Sequence, residues 1–252
     1  MFGVAAILLT LSSQATPADR VLPDVRILCQ PLEIHDGVPD EQACLKELAG
    51  VVRRDGGALT LKLTNGKTKT VSDARECEDA DREAACVRYH LVGRVGEGQL
   101  ILLVDPYECP YLLLVNRRTG EEITLGGWPY LSPSGKRFVV ADPRDAGNCG
   151  PEYAVAVFSL ASDRARLEWK FTPEGFESYD VDAWNGDNRV QLRARGADGK
   201  QVATDLKLTA QSWQLKRPNG ELSLGTPAAP AHLNAKTSPA GPAEAAPAPL
   251  SR

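Results

Sequence analysis

From about residue 57 to 216 the chain alternates apolar and polar positions with the two-residue period of half-buried strands, and turn-forming residues punctuate the runs. The clearest unit is Trp128-Pro129-Tyr130-Leu131, Ser132-Pro133-Ser134-Gly135 and Lys136-Arg137-Phe138-Val139-Val140, an aromatic-rich strand, a tight turn and a β-branched strand. Similar units recur about three and a half times, at the spacing of about 40 to 50 residues typical of propeller blades. The pattern therefore predicts an all-β, propeller-like stack of antiparallel modules, three full and one partial. A two-sheet β-sandwich is the alternative.

The β domain is placed at residues 57–217. It opens with a hairpin of residues 58–63 and 67–71 around Asn65-Gly66, a strong short-range hairpin signal. The first full module has strands at 89–94, 100–104, 111–115 and 121–125. The second has 129–131, 137–141, 153–160 and 166–171, and the third 179–184, 189–194, 201–208 and 212–215. Trp169 and Trp213 fall at matching points of their modules. The run 153–160 is apolar on both faces, as a strand between two stacked sheets must be.

Ahead of this domain, residues 16–56 are expected to add a strand at 24–29 and a helix at 39–52. Asp40 caps that helix, Cys44, Leu45, Leu48, Val51 and Val52 form its apolar stripe, and Gly56-Gly57 stops it. The Ala/Pro-rich stretch 218–252 is expected to be a disordered tail.

The first 15 residues carry an apolar stretch from Phe2 to Leu11 followed by Ser13-Gln14-Ala15, which fits a signal peptide cleaved after Ala15, although no Lys or Arg precedes it. A buried strand or a misplaced start is the competing reading. Export, periplasmic or secreted, agrees with an even set of six cysteines, Cys29, Cys44, Cys77, Cys86, Cys109 and Cys149. The expected pairs are Cys29 with Cys44, Cys77 with Cys86, and Cys109 with Cys149; the last two follow equivalent strands that end in Asp-Pro. A net charge of -4 supplies no basic field for nucleic acid, and no transmembrane segment is expected.

The run Leu113-Leu114-Val115-Asn116-Arg117-Arg118-Thr119-Gly120-Glu121-Glu122, followed by the Ser132-Pro133-Ser134-Gly135-Lys136 turn, resembles a group of uncharacterised exported bacterial proteins with a "VNRRTGEE" turn before an "SPDGK" turn. The second turn is similar to the repeat of TolB-type and WD40-like β-propellers, with Ser134 standing where the repeat usually has Asp. The resemblance implies a binding platform; fold alone does not assign a function.

Candidate chemistry is sparse. The three histidines are His35 in a polar loop, His232 in the tail and His90 on a strand, where a solvent-facing position is expected. Nucleophile elbows, Walker loops and metalloprotease helices are absent, and no cofactor is expected. Asp180, Asp182 and Asp187 offer oxygen donors for calcium, though not in EF-hand order. Residues 76–83 are acidic, a solvated or docking surface. Tyr107, Tyr111, Trp128 and Tyr130 lie at strand ends, where an aromatic patch for a protein or glycan is weighed against core packing of Trp128 and Tyr130. The expected function is a non-enzymatic binding or scaffold module for an envelope or secreted partner. The alternatives are a carboxylate-dependent polysaccharide hydrolase using Asp180 and Asp182, and a purely structural accessory domain.

Overall fold

A strand that is apolar on both faces needs a neighbour on each side, and the chain meets that need by stacking sheets in a row. The computed structural model describes residues 25–27, 41–74, 77, 85–106, 110–142, 151, 153–161, 164–173, 177–210 and 212–227. Its elements are β1 (Val25–Ile27), α1 (Glu41–Glu47), β2 (Val52–Asp55), β3 (Ala58–Lys62), β4 (Thr68–Ser72), β5 (Val87–Val95), β6 (Gln99–Pro106), β7 (Tyr111–Asn116), β8 (Glu122–Leu125), β9 (Pro129–Leu131), β10 (Arg137–Ala141), β11 (Val155–Ala161), β12 (Arg164–Phe171), β13 (Ser178–Trp184), β14 (Arg189–Arg195), β15 (Gln201–Leu208), β16 (Trp213–Lys216), β17 (Leu222–Ser223) and β18 (Thr226–Pro227).

The protein is all-β; among the described residues α1 is the one helix, and the strands form four antiparallel sheets. The first is β2-β3-β4, the second β1-β5-β6-β7-β8, the third β18-β12-β11-β10-β9, and the fourth β13-β14-β15-β16-β17. These match the partial module and the three full modules read from the sequence. Four sheets replace the two of a sandwich. The leading hairpin of each full module turns through a glycine of positive φ, Gly96, Gly135 or Gly186.

Three cores separate the sheets. Cys44 of α1, Leu48 just after it, and Val52, Leu59 and Leu61 of the first sheet meet Leu91, Leu100, Leu102, Leu113 and Val115 of the second. The opposite face of the second sheet, with Val92, Ile101, Leu112 and Leu114, packs on Phe138, Val140, Ala156 and Phe158 of the third. Leu91 and Val92 face different cores by ordinary strand alternation, and the bulge between Leu91 and Gly93 shifts that alternation so that Val92 and Val95, three positions apart, enter the same core. The third core joins Val139, Val157, Trp169 and Phe171 to Tyr179, Val190, Leu192, Leu206 and Trp213 of the fourth sheet. Each fully buried Leu, Val or Phe contributes about 1.5–3 kcal/mol, so the continuously buried β6 and β10 dominate, whereas β14 buries only alternate residues. The outer face of the fourth sheet carries the ion pairs Arg189–Asp205 and Arg193–Asp182, both at 2.8 Å, so the row is open to water at that end.

Two boundaries differ from the sequence reading. The helix ends at Glu47 rather than 52, because Val52 pairs with Leu61 and 52–55 becomes a strand; the Gly56-Gly57 stop is the hairpin between β2 and β3. Ordered structure also continues past residue 217. Leu222 pairs with Lys216 in the fourth sheet, and Thr226 pairs with Lys170 in the third, so residues 222–227 strap the two sheets together. Between those strands Gly225 (φ 54) lies on the Trp169 indole, whose Nε1–H donates to the Leu224 carbonyl at 2.6 Å. The expected signal peptide, residues 1–15, and the tail beyond Pro227 lie outside the described residues.

Candidate functional site

At the seam between the third and fourth sheets, β9 brings Tyr130 beside the edge strand β13. The foundation is Trp213, which is 2% exposed. Its Nε1–H donates to Glu168 at 3.0 Å, the same carboxylate accepts from Arg137 Nε at 2.9 Å, and the Arg137 guanidinium lies 5.9 Å from the centre of the Trp213 ring. Trp184 meets Trp213 edge to face at 6.0 Å and donates its Nε1–H to the Tyr130 carbonyl at 2.8 Å. The Trp213–Glu168, Arg137–Trp213 and Trp184–Tyr130 contacts join the fourth sheet to the third, while Arg137–Glu168 and Trp184–Trp213 brace each sheet from within, so β9 is fixed against the end of β13.

On this base Tyr130 is 36% exposed. Enough protein surrounds its hydroxyl that desolvation raises its pKa, and the charge of Asp180 adds to the rise while Arg193 opposes it. Asp180 stands opposite Arg193 in the β13–β14 register, and Asp182 accepts from Arg193 Nε at 2.8 Å. The surface thus presents an aromatic ring, two carboxylates and a guanidinium at one strand edge. Such a set can stack on a flat apolar face and accept hydrogen bonds from hydroxyls or amides.

The structure separates the other candidates. Tyr111 packs against the first core and Trp128 against the second, so with Tyr130 they occupy three different sheet interfaces and not one patch. Trp128 is the packing residue weighed above; its indole nitrogen is buried with no hydrogen-bond partner among the described residues. Tyr107 lies outside the described residues. The three aspartates do not converge as calcium ligands. Asp187 accepts the Ser134 backbone N–H at 3.0 Å, chiefly for which its carboxyl titrates below the ordinary value, and Asp182 is committed to Arg193. No group of three His, Cys, Asp or Glu residues suited to a metal ion exists among the described residues. Asp187 thereby ties the β13–β14 turn to the Ser-Pro-Ser-Gly turn of the neighbouring sheet. Trp184, the residue missed in sequence, ends the strand that carries Asp180 and Asp182; an aromatic following alternating carboxylates was the available signal.

Cys77 and Cys86 form a disulfide, and Cys44 is also disulfide-bonded, its partner lying outside the described residues. Cys29, Cys109 and Cys149 and the acidic residues 78–83 lie outside them as well. No helix among the described residues is long and apolar enough to cross a membrane.

His90 departs from its expected solvent-facing position. It is half-buried, Nε2 has no hydrogen-bond partner among the described residues, and burial lowers its pKa from 6.5 more than Glu41 raises it. Because the folded state binds this proton less readily than the unfolded state, the stability associated with neutral His90 is present above pH 6.5 and is lost as pH falls through 6.5 towards the folded pKa. Thermal melts of His90→Gln between about pH 7.5 and 5.5 should show a shallower loss of Tm than wild type. Equal slopes would assign the acid sensitivity elsewhere.

No protein-family model matches the chain, and no curated protein matches it.

Proposed function

We propose that the protein is an exported, disulfide-stabilised binding module that engages an envelope or secreted glycan or protein at the Tyr130 seam. The observation that carries this reading is the exposed Tyr130 ring held beside Asp180, Asp182 and Arg193 by a packed foundation of Trp184 and Trp213. Rigid aromatic residues backed by a core are what recognition surfaces use, because little rotamer entropy is lost on binding. The Cys77–Cys86 disulfide supports an oxidising compartment, and the similarity to TolB-type and WD40-like repeats fits a platform of this kind. The hydrolase reading has less support, since Asp182 is held by Arg193 instead of facing a second free carboxylate.

The test is titration of purified protein with a panel of envelope oligosaccharides and secreted proteins, followed by tryptophan fluorescence. A ligand of this site should bind Tyr130→Ala at least about tenfold more weakly and respond to Asp180→Asn, with Tm unchanged. If every ligand found is indifferent to both substitutions, the seam is structural and the accessory-domain reading takes its place.

A further inference from the structure

The first sheet turns its two faces in opposite directions. Leu59 and Leu61 enter the first core, while Thr60 and Lys62 face away, with Arg53 opposite Thr60 and Thr68 opposite Lys62 in register. Over that outward face, Leu45 of α1 and the following Ala49, Gly50 and Val51 border an open groove of about 550 Å³. The volume lies within the roughly 300–1,000 Å³ of small-ligand sites.

Charge selects what fits. Three cations line the groove, Arg53, Arg54 and Lys62, and no carboxylate does. Arg54 is already matched by Glu41 and Asp73. Arg53 and Lys62 are exposed and make no ion pair among the described residues. In a chain of net charge -4, two unmatched cations beside an apolar wall favour a ligand that is apolar at one end and negative at the other. The Thr68 hydroxyl lies on the same face and adds a hydrogen-bond donor for a head group, next to the Thr60 hydroxyl, which is 3.4 Å from that of Thr70.

We propose that this groove binds a single-chain carboxylate amphiphile, with its acyl part against Leu45, Ala49 and Val51 and its head group between Arg53 and Lys62. The site is separate from the Tyr130 seam and does not depend on it.

The experiment is calorimetric titration of the full chain with dodecanoate below its micelle concentration, beside dodecanol, dodecyltrimethylammonium and inorganic phosphate. Dodecanoate should bind saturably with one site, and the double variant Arg53→Gln/Lys62→Gln should weaken it about tenfold while changing dodecanol about twofold or less. Both side chains are exposed, so the variant keeps its fold, which melting curves verify. Ala49→Trp, at an exposed position on the wall, should remove binding of both alcohol and acid by filling the groove. The proposal fails if wild type shows no saturable dodecanoate binding, if the cationic amphiphile binds as tightly, or if neither variant weakens dodecanoate. It also fails if phosphate alone binds as well as dodecanoate, which would make the cations a plain anion site.

Discussion

Gly127→Ala should lower stability by about 3 kcal/mol or more, a fall in Tm of about 6–12 °C in a protein of this size. Gly127 is buried in the link from β8 to β9, where the chain passes from the second sheet to the third. A Cβ placed there would stand 2.2 Å from the Ala141 carbonyl oxygen. The obstacle is backbone, at the end of a strand whose Phe138, Val139 and Val140 are 0% exposed, so nothing nearby yields without opening a core. Gly126→Ala is the internal control: its nearest atoms are Asp142 Oδ2 at 3.2 Å and Pro151 Cγ at 3.4 Å, both on side chains. That substitution should cost about 1 kcal/mol. Paired denaturant titrations decide the matter, and equal effects for the two glycines would sink the argument.

Much of this architecture was legible because sheet burial leaves a period in the sequence. Strands buried on both faces, such as residues 100–104 and 153–158, are apolar throughout, and the structure places them in the two middle sheets. The fourth sheet's Arg189, Gln191, Arg193 and Arg195 alternate with Val190, Leu192 and Ala194, which marks the end of the row. The helix boundary was not legible, for a physical reason. Leu48, Val51 and Val52 fit an i, i+3, i+4 stripe, and only the long-range partner Leu61 makes 52–55 a strand. The strap was hidden because β17 and β18 have two residues each, too few to show a period.

The candidate site was legible only in pieces. Tyr130, Asp180 and Asp182 could be named, yet no local rule joins them, since β9 and β13 are about 50 residues apart and meet through Trp184. Asp187 illustrates the limit most sharply. Beside Asp180 and Asp182 in sequence it looks like a third metal ligand, and in space it caps a turn belonging to another sheet. Sequence proximity gave the residue types; the stacking of sheets gave their partners.

Arg54→Leu should cost about 2–4 kcal/mol, and the reason is an edge strand. β1 covers β5 only over residues 93–95, and among the described residues no strand receives the Tyr89 and Leu91 N–H groups on that edge. Two carboxylates take that role: Asp73 accepts from Tyr89 N at 2.9 Å and Glu41 from Leu91 N at 2.6 Å. Arg54 holds both, through two hydrogen bonds to Glu41 at 2.9 and 2.8 Å, a 3.4 Å contact with Asp73, and a bond to the Tyr89 carbonyl. Burial by itself would lower its pKa, but the hydrogen bond to Glu41 and the charges of Glu41 and Asp73 outweigh burial and raise it. Leucine in its place leaves two largely buried carboxylates without a counter-charge, which is worse than removing the whole network. Glu41→Gln in the Arg54→Leu background should therefore recover part of the loss, since an amide oxygen still accepts from Leu91. Amide hydrogen exchange reads the mechanism directly. Protection at Tyr89 and Leu91 should fall in Arg54→Leu and return in part in the double variant, and protection unchanged in the single variant would mean that the carboxylates hold this edge without the arginine.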